Sequence, residues 1–172
     1  KVTLVTGRTS LKPPVFVDVI PVVSAGDMYD AVISRSDSMD IIIKAAAVAD
    51  YRPSTIAEEK IKKADSQLCL SLERTRDILK YLGEHKKPSQ FLCGFSMETE
   101  NMLDNSIKKL NTKNLDMIVA NNLKVPGAGF KADTNIVTMI THDEVTELPI
   151  MDKEEVAFHI LDKILSLRDS GC

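Results

Sequence analysis

Apolar residues along this chain recur in two rhythms, and the alternation between them sets out the fold. Ile41 to Ile43, Phe91 to Phe95 and Leu115 to Ala120 are short, nearly uninterrupted apolar runs. Runs too short for a lone buried helix are the pattern of strands covered on both faces of a parallel sheet. Elsewhere the apolar positions fall three and four apart. Ser24 with Asp27 forms a capping box that opens a helix with Ala25, Met28 and Val32 inward. Asp77 to His85 reads as a short helix closed by Lys86, Lys87 and Pro88. Met102 to Leu110 reads as an amphipathic helix with Leu103, Ile107 and Leu110 inward. Asp152 and Glu155 cap a last helix whose inner stripe is Val156, Ile160, Ile164 and Leu167, with His159 a structural residue within it.

The rest is strand and turn. Lys1 to Thr6 reads as a strand that starts at the first residue, so something is expected upstream of it, and Val15 to Val23 offers a short extended segment. Leu68, Leu70 and Leu72 alternate with Cys69, Ser71 and Glu73, which predicts a strand with one polar face. Asn135 to Thr141 and Glu144 to Ile150 predict a hairpin turning at His142 and Asp143. The order implies an α/β fold: a Rossmann-like three-layer sandwich, its sheet mostly parallel, with a C-terminal β-hairpin and helix.

Composition narrows the partners. At 172 residues and 44% hydrophobic, the chain is long enough to bury a sizeable core as a single domain spanning 1–172. A net charge of -3 provides no basic field for nucleic acid or anionic lipid, so any anion binding must be local. No apolar run approaches the roughly 20 residues that span a bilayer. Cys69, Cys93 and Cys172 lack CxxC spacing and sit among apolar residues, which points to reduced thiols in a cytoplasmic protein. Cys93 reads as a core thiol.

The chemistry concentrates between Ile41 and Lys63. A buried-strand run gives way to Ala45, Ala46, Ala47 and Ala49, whose small side chains leave room for a flat ligand at the strand's carboxyl end, where open α/β sheets bind ligands. Asp50 follows, free for a sugar hydroxyl, a base amine or a metal, and Pro53 is expected to forbid further pairing. Lys60, Lys62 and Lys63 then bring three charges within four residues, on a stretch from Tyr51 to Gln67 expected to act as a mobile basic flap. Each feature alone has an ordinary reading, helix packing for the alanines and a solvated face for the lysines; their order in one loop favours a site. G-x-G-x-x-G and the P-loop are both absent, so phosphates must be met by side-chain charge. The candidates are Lys60, Lys62, Arg76, Lys109 and Lys113, the last two sharing a helix face at i, i+4.

AAAVADYRP, EKIKK, T-x-D-I from Thr75 to Ile78, GFSMET from Gly94, KNLDMIVAN from Lys113 and GAGF from Gly127 stand in one order along the chain. Together they resemble the phosphopantothenate–cysteine ligase domain of bacterial coenzyme A biosynthesis. The resemblance implies a ligase that uses CTP and Mg²⁺ to join 4′-phosphopantothenate to L-cysteine through an acyl-cytidylate. It implies a cytoplasmic homodimer with small-molecule partners and neither nucleic acid nor membrane. FMN would enter only with a decarboxylase domain fused upstream. Carried over by position, Lys60 is the catalytic flap lysine, and Lys44, Ala45, Ala46, Asp50, Lys60, Arg76, Phe95, Lys109 and Lys113 match nucleotide contacts. Ala47, Asn121, Gly129 and Phe130 fall on the substrate side, and the metal ligands stay unassigned. The family opens with a first strand and glycine-rich loop, and this sequence is expected to begin after them. Two rival readings remain: an NAD(P)-dependent reductase on a similar sheet, and a nucleotide-binding module without catalysis.

Overall fold

The computed structural model describes residues 1–62, 68–98, 100–122 and 134–169. Lys63 to Gln67, Thr99, the turn from Pro126 to Phe130 with Gly129, and Cys172 lie outside them. In chain order the first elements are β1 (Val2–Thr6), β2 (Val17–Pro21), α1 (Ala25–Ser36), β3 (Ile41–Lys44), β4 (Tyr51–Pro53), β5 (Leu72–Arg74) and α2 (Ile78–His85). Then follow β6 (Phe91–Glu98), α3 (Met102–Thr112), β7 (Met117–Asn122), β8 (Thr134–Asn135), β9 (Val137–Ile140), β10 (Val145–Glu147), β11 (Met151–Asp152) and α4 (Lys153–Asp169). They divide between two compact units, Lys1–Ser34 with Ala47–Ile78, and Arg35–Ala46 with Leu79–Cys172.

In the first unit β1 and β2 pair in parallel from Val2 with Val17 to Thr6 with Pro21. The capping box of α1 forms as the sequence implies. Asp27 accepts from the Ser24 N–H at 2.8 Å and the Val23 N–H at 3.2 Å, and Ser24 Oγ accepts from the Asp27 N–H at 3.1 Å. Met28 is buried on the inner face. β4 and β5 pair antiparallel, Tyr51 with Arg74 and Pro53 with Leu72. Pro53 therefore does not end pairing. It has no N–H to give, but the ladder continues past it through the Ser54 N–H to the Ser71 carbonyl at 3.0 Å. Of the strand expected over Leu68 to Glu73 only Leu72 and Glu73 lie in β5; Leu68 to Ser71 are outside it, and all three leucines are exposed. A strand extends only as far as its hydrogen-bonding partner, and β4 is three residues long.

The second unit holds a mixed sheet in the order β10-β9-β7-β6-β3. β3, β6 and β7 run parallel, and β9 and β10 close the sheet as an antiparallel hairpin at the expected place. Phe91 and Cys93 of β6, Met117 and Val119 of β7 and Val137 and Met139 of β9 form one core cluster with Val156, Ile160 and Ile164 of α4. On the other face α3 lies against β6 and β7. There the Ser96 and Ser106 hydroxyls meet at 2.7 Å, fully buried. Asp152 Oδ1 caps α4 by accepting from the Glu155 N–H at 2.7 Å.

Three orientations differ from expectation. Ile43 is 40% exposed because β3 is the end strand of this sheet, not an interior one. Leu103 is exposed and Ser106 buried, because Ser96 offers the serine a hydroxyl partner and so sets the rotation of α3. His159 is exposed, since a stripe built on Val156, Ile160 and Ile164 turns the residue before Ile160 outward.

A Cβ on Gly83 of α2 would stand 1.8 Å from the Lys113 carbonyl oxygen. Alanine in a helix interior usually gains about 1 kcal/mol over glycine. Here the obstacle is backbone, so Gly83→Ala is expected to destabilise by about 1–3 kcal/mol; a raised denaturation midpoint would contradict this. The Asp27 carboxyl is held below its ordinary range, first by the Ser24 N–H, then by the Ser24 hydroxyl and the Val23 N–H. A depressed pKa contributes stability above the unfolded value, about 4, which is lost as pH falls through the folded value. Asp27→Asn should therefore melt earlier than the parent at pH 7, with the gap closing in acid; a gap independent of pH would rule out the capping charge.

Candidate active site

In the second unit the carboxyl ends of β3, β6 and β7 lie side by side. Lys44 is in register with Gly94, Phe95 with Val119, and Met97 with Asn121. Lys44, Phe95 and Asn121 therefore share one sheet edge, and Lys44 Nζ donates to the Ala46 carbonyl at 2.8 Å, folding the loop back on the strand end. Ala45 and Ala46 are exposed, as a surface open to a flat ligand requires. Phe95 is half-buried against the core. Asn121 Oδ1 accepts from Asn135 Nδ2 at 2.9 Å.

Lys109 reaches the same edge through an ion pair with Glu98 at 2.5 Å. Lys113 is not part of the helix that carries Lys109. It caps α3 with φ -105°, its carbonyl facing Gly83, while Asn114 Nδ2 donates to the Gly83 carbonyl at 2.8 Å. Two residues on, the Asp116 N–H donates to the Leu92 carbonyl near the start of β6. The Lys113 backbone thus stands at the amino edge of the parallel strands and Lys109 answers to the carboxyl edge.

In the first unit the β4–β5 hairpin carries the remaining candidates. Arg52 Nε pairs with Glu73 Oε1 across it at 2.7 Å. At its base the Thr75 hydroxyl donates to the Ala49 carbonyl at 2.6 Å and the Thr75 N–H to the Asp50 carbonyl at 2.9 Å. Ala47 and Asp50 are exposed, and the Asp50 carboxylate has no partner among the described residues. Lys60 and Lys62 are exposed in irregular chain, with no ion pair among the described residues. Arg76 is already engaged by α1: it pairs with Asp30 at 2.8 Å and lies 3.8 Å from the Tyr29 ring centre.

Comparison with known proteins decides what kind of chain this is. The pattern of the DNA/pantothenate metabolism flavoprotein C-terminal domain matches residues 1–167. The chain belongs to that family. The coenzyme A biosynthesis bifunctional protein CoaBC of Bacillus subtilis (strain 168) is 52% identical over 169 residues, covering 97% of this chain and 41% of that protein. A cysteine/cysteine sulfinic acid decarboxylase from an unknown prokaryotic organism is 43% identical over 169 residues, covering 97% of this chain and 47% of that protein. The crystal structure of the C-terminal domain of a CoaBC superposes with a TM-score of 0.81 at 47% identity, over 99% of this chain and 77% of that one. The chain thus spans less than half the length of these curated relatives.

The motif resemblance and the α/β fold read from the sequence are both borne out by these matches. Within this flavoprotein C-terminal domain, the residue that sequence reasoning passed over is Thr75. It was legible only as a letter of T-x-D-I, since nothing local announces a bond to a carbonyl 26 positions away. Cys93 is no nucleophile: burial, helped by the nearby Asp116 charge, pushes its thiol up to about 12. Iodoacetamide at pH 8 should label the exposed Cys69 and spare Cys93 until denaturant is added; rapid native labelling of Cys93 would contradict its burial.

Proposed function

We propose that this chain is the phosphopantothenate–cysteine ligase part of a coenzyme A biosynthesis enzyme, using CTP to join 4′-phosphopantothenate to L-cysteine. The observation that carries it is the 52% identity over 97% of the chain to a protein named for that pathway. The charge distribution supports it. Asp50 and Lys60 are exposed and uncommitted among the described residues, whereas Lys44, Arg76 and Lys109 already hold partners. The working form is taken to be a cytoplasmic homodimer acting on small molecules. Among the described residues no helix is long and apolar enough to cross a membrane.

In the first step a carboxylate oxygen of 4′-phosphopantothenate attacks the α-phosphorus of CTP. The bond from that phosphorus to the bridging β-phosphate oxygen breaks, and pyrophosphate leaves with the electron pair. The cysteine amine then attacks the acyl carbon of the mixed anhydride, CMP leaves with the bonding pair, and the new ammonium loses a proton to become the amide nitrogen. The first step brings an anion onto an anion, so positive side chains must offset the charge that builds. Lys60 takes that role, and Asp50 accepts a hydrogen bond from the nucleoside. Ala45 to Ala47 and Phe95 frame the base and substrate, with Lys44 and Lys109 adding charge near the phosphates, while Lys113, at the amino edge of the strands, is left out of that set. Mg²⁺ would be expected to accompany the triphosphate. Among the described residues no three carboxylates, imidazoles or thiols gather into a metal cluster.

Pyrophosphate release from CTP with 4′-phosphopantothenate, followed by cysteine-dependent CMP release, tests the reaction. Stabilisation against heating by CTP and not by NADPH separates it from the reductase reading. Lys60→Gln keeps length and polarity but removes the charge. Turnover should fall by roughly a hundredfold or more with CTP affinity nearly kept. Near-normal turnover would return Lys60 to an ordinary solvated charge.

A further inference from the structure

We propose that Thr75 is a positioning residue for nucleotide binding, fixing the backbone of Ala49 and Asp50 so that the Asp50 carboxylate is aimed before the nucleotide arrives. The proposal rests on the reading of Asp50 as a nucleotide contact. Thr75 is half-buried, although the residues on either side of it, Arg74 and Arg76, are exposed. Its hydroxyl and its amide donate to two consecutive carbonyls, Ala49 at 2.6 Å and Asp50 at 2.9 Å. Two bonds from one residue to adjacent peptide planes fix both the position of the loop and its twist.

Thr75 is itself anchored on both sides. Before it, Arg74 pairs with Tyr51 and Glu73 holds Arg52, which joins the two strands of the hairpin. After it, Arg76 is held by Asp30 and lies over Tyr29 of α1. The backbone under Asp50 is thus tied to a strand partner and, through Arg76, to a helix. The carboxylate itself meets no partner among the described residues. That is the arrangement that preorganisation needs: the ordering cost is met on folding, and the acceptor is left free for the ligand. Arg76, by contrast, is committed to holding this segment, which makes it a support of the loop in the nucleotide-free protein.

The test is a titration of CTP into the parent chain, Thr75→Val, Thr75→Ser, Asp50→Asn and the Thr75→Val/Asp50→Asn double variant, with hydrogen exchange read at the Tyr51 and Arg52 amides. Thr75→Val should weaken CTP binding by about fivefold, the worth of one hydrogen bond, and Thr75→Ser should restore most of it. The double variant should bind no worse than Asp50→Asn alone, because Thr75 acts through Asp50. Exchange at Tyr51 and Arg52 should quicken in Thr75→Val and not in Thr75→Ser. If Thr75→Val does not fold, Thr75→Ala takes its place in the same cycle. CTP binding that Asp50→Asn weakens but the Thr75 variants leave at the parent value would overturn the proposal alone. Additive losses in the double variant would also overturn it, assigning Thr75 to general stability. A parent chain that does not bind CTP would overturn the functional reading and this proposal together.

Discussion

Strand β6 is buried on both faces and flanked by parallel neighbours, and much of the second unit follows from that requirement. Phe91 and Cys93 point into the cluster with α4, while Leu92, Gly94 and Ser96 point the other way. A strand between two helix layers has little room for bulk on both sides. Gly94 shows how tight the second side is: a Cβ there would stand 2.8 Å from Leu79 and 3.0 Å from Leu115. Ser96 is tolerated in the same wall because Ser106 satisfies its hydroxyl, so the buried pair leaves no polar atom stranded. Held in this way, β6 delivers Phe95 and Glu98 to the sheet's carboxyl end as fixed points.

Charge is distributed on a different principle from packing. An exposed ion pair contributes little to stability, typically about 0–1 kcal/mol. The Arg52–Glu73 and Arg76–Asp30 pairs are therefore better understood as fixing geometry than as holding the fold together. Lys109 with Glu98 is more sheltered, Glu98 being 19% exposed, and there the carboxylate both places the ammonium and offsets its charge. An anion arriving at Lys109 would meet that carboxylate too. Lys60 and Lys62, exposed and without such a partner among the described residues, present their full charge at almost no cost in desolvation.

What the sequence made legible was whatever is written locally. The capping box at Ser24–Asp27, the Asp152 cap of α4, the buried runs of β6 and β7 and the hairpin turning at His142 all depend on spacing within a few residues, and each is found where the spacing puts it. What it hid depends on partners far along the chain. Ile43 looks like Ile41 in the sequence, yet on the end strand β3 Ile41 packs against the core cluster while Ile43 is exposed. Leu68 and Leu70 carry a good strand pattern without a strand to pair with. Leu103 lost its inward place to a serine because the deciding hydroxyl belongs to β6, ten positions before Ser106. The candidate site was legible as a set of residue types in family order. The division among them between charges already paired and charges free was not, since pairing is set by tertiary geometry.

That division bears on how one hairpin could serve both binding and chemistry. Asp50 sits where Thr75 ties down the two carbonyls beneath it, and Lys60 sits ten residues further along in irregular chain. A group that recognises a ground-state ligand gains from being fixed in advance, because every degree of freedom still open must be closed at the expense of affinity. A group meant to act on charge that appears only in the transition state gains less from being fixed against the bound substrate, since equal grip on both states lowers the apparent Michaelis constant without speeding the step. A carboxylate on a tethered backbone and a lysine with no ion pair among the described residues therefore suit different tasks. In the proposed reaction the carboxylate suits selection of the nucleotide, and the lysine suits the attack on its α-phosphate.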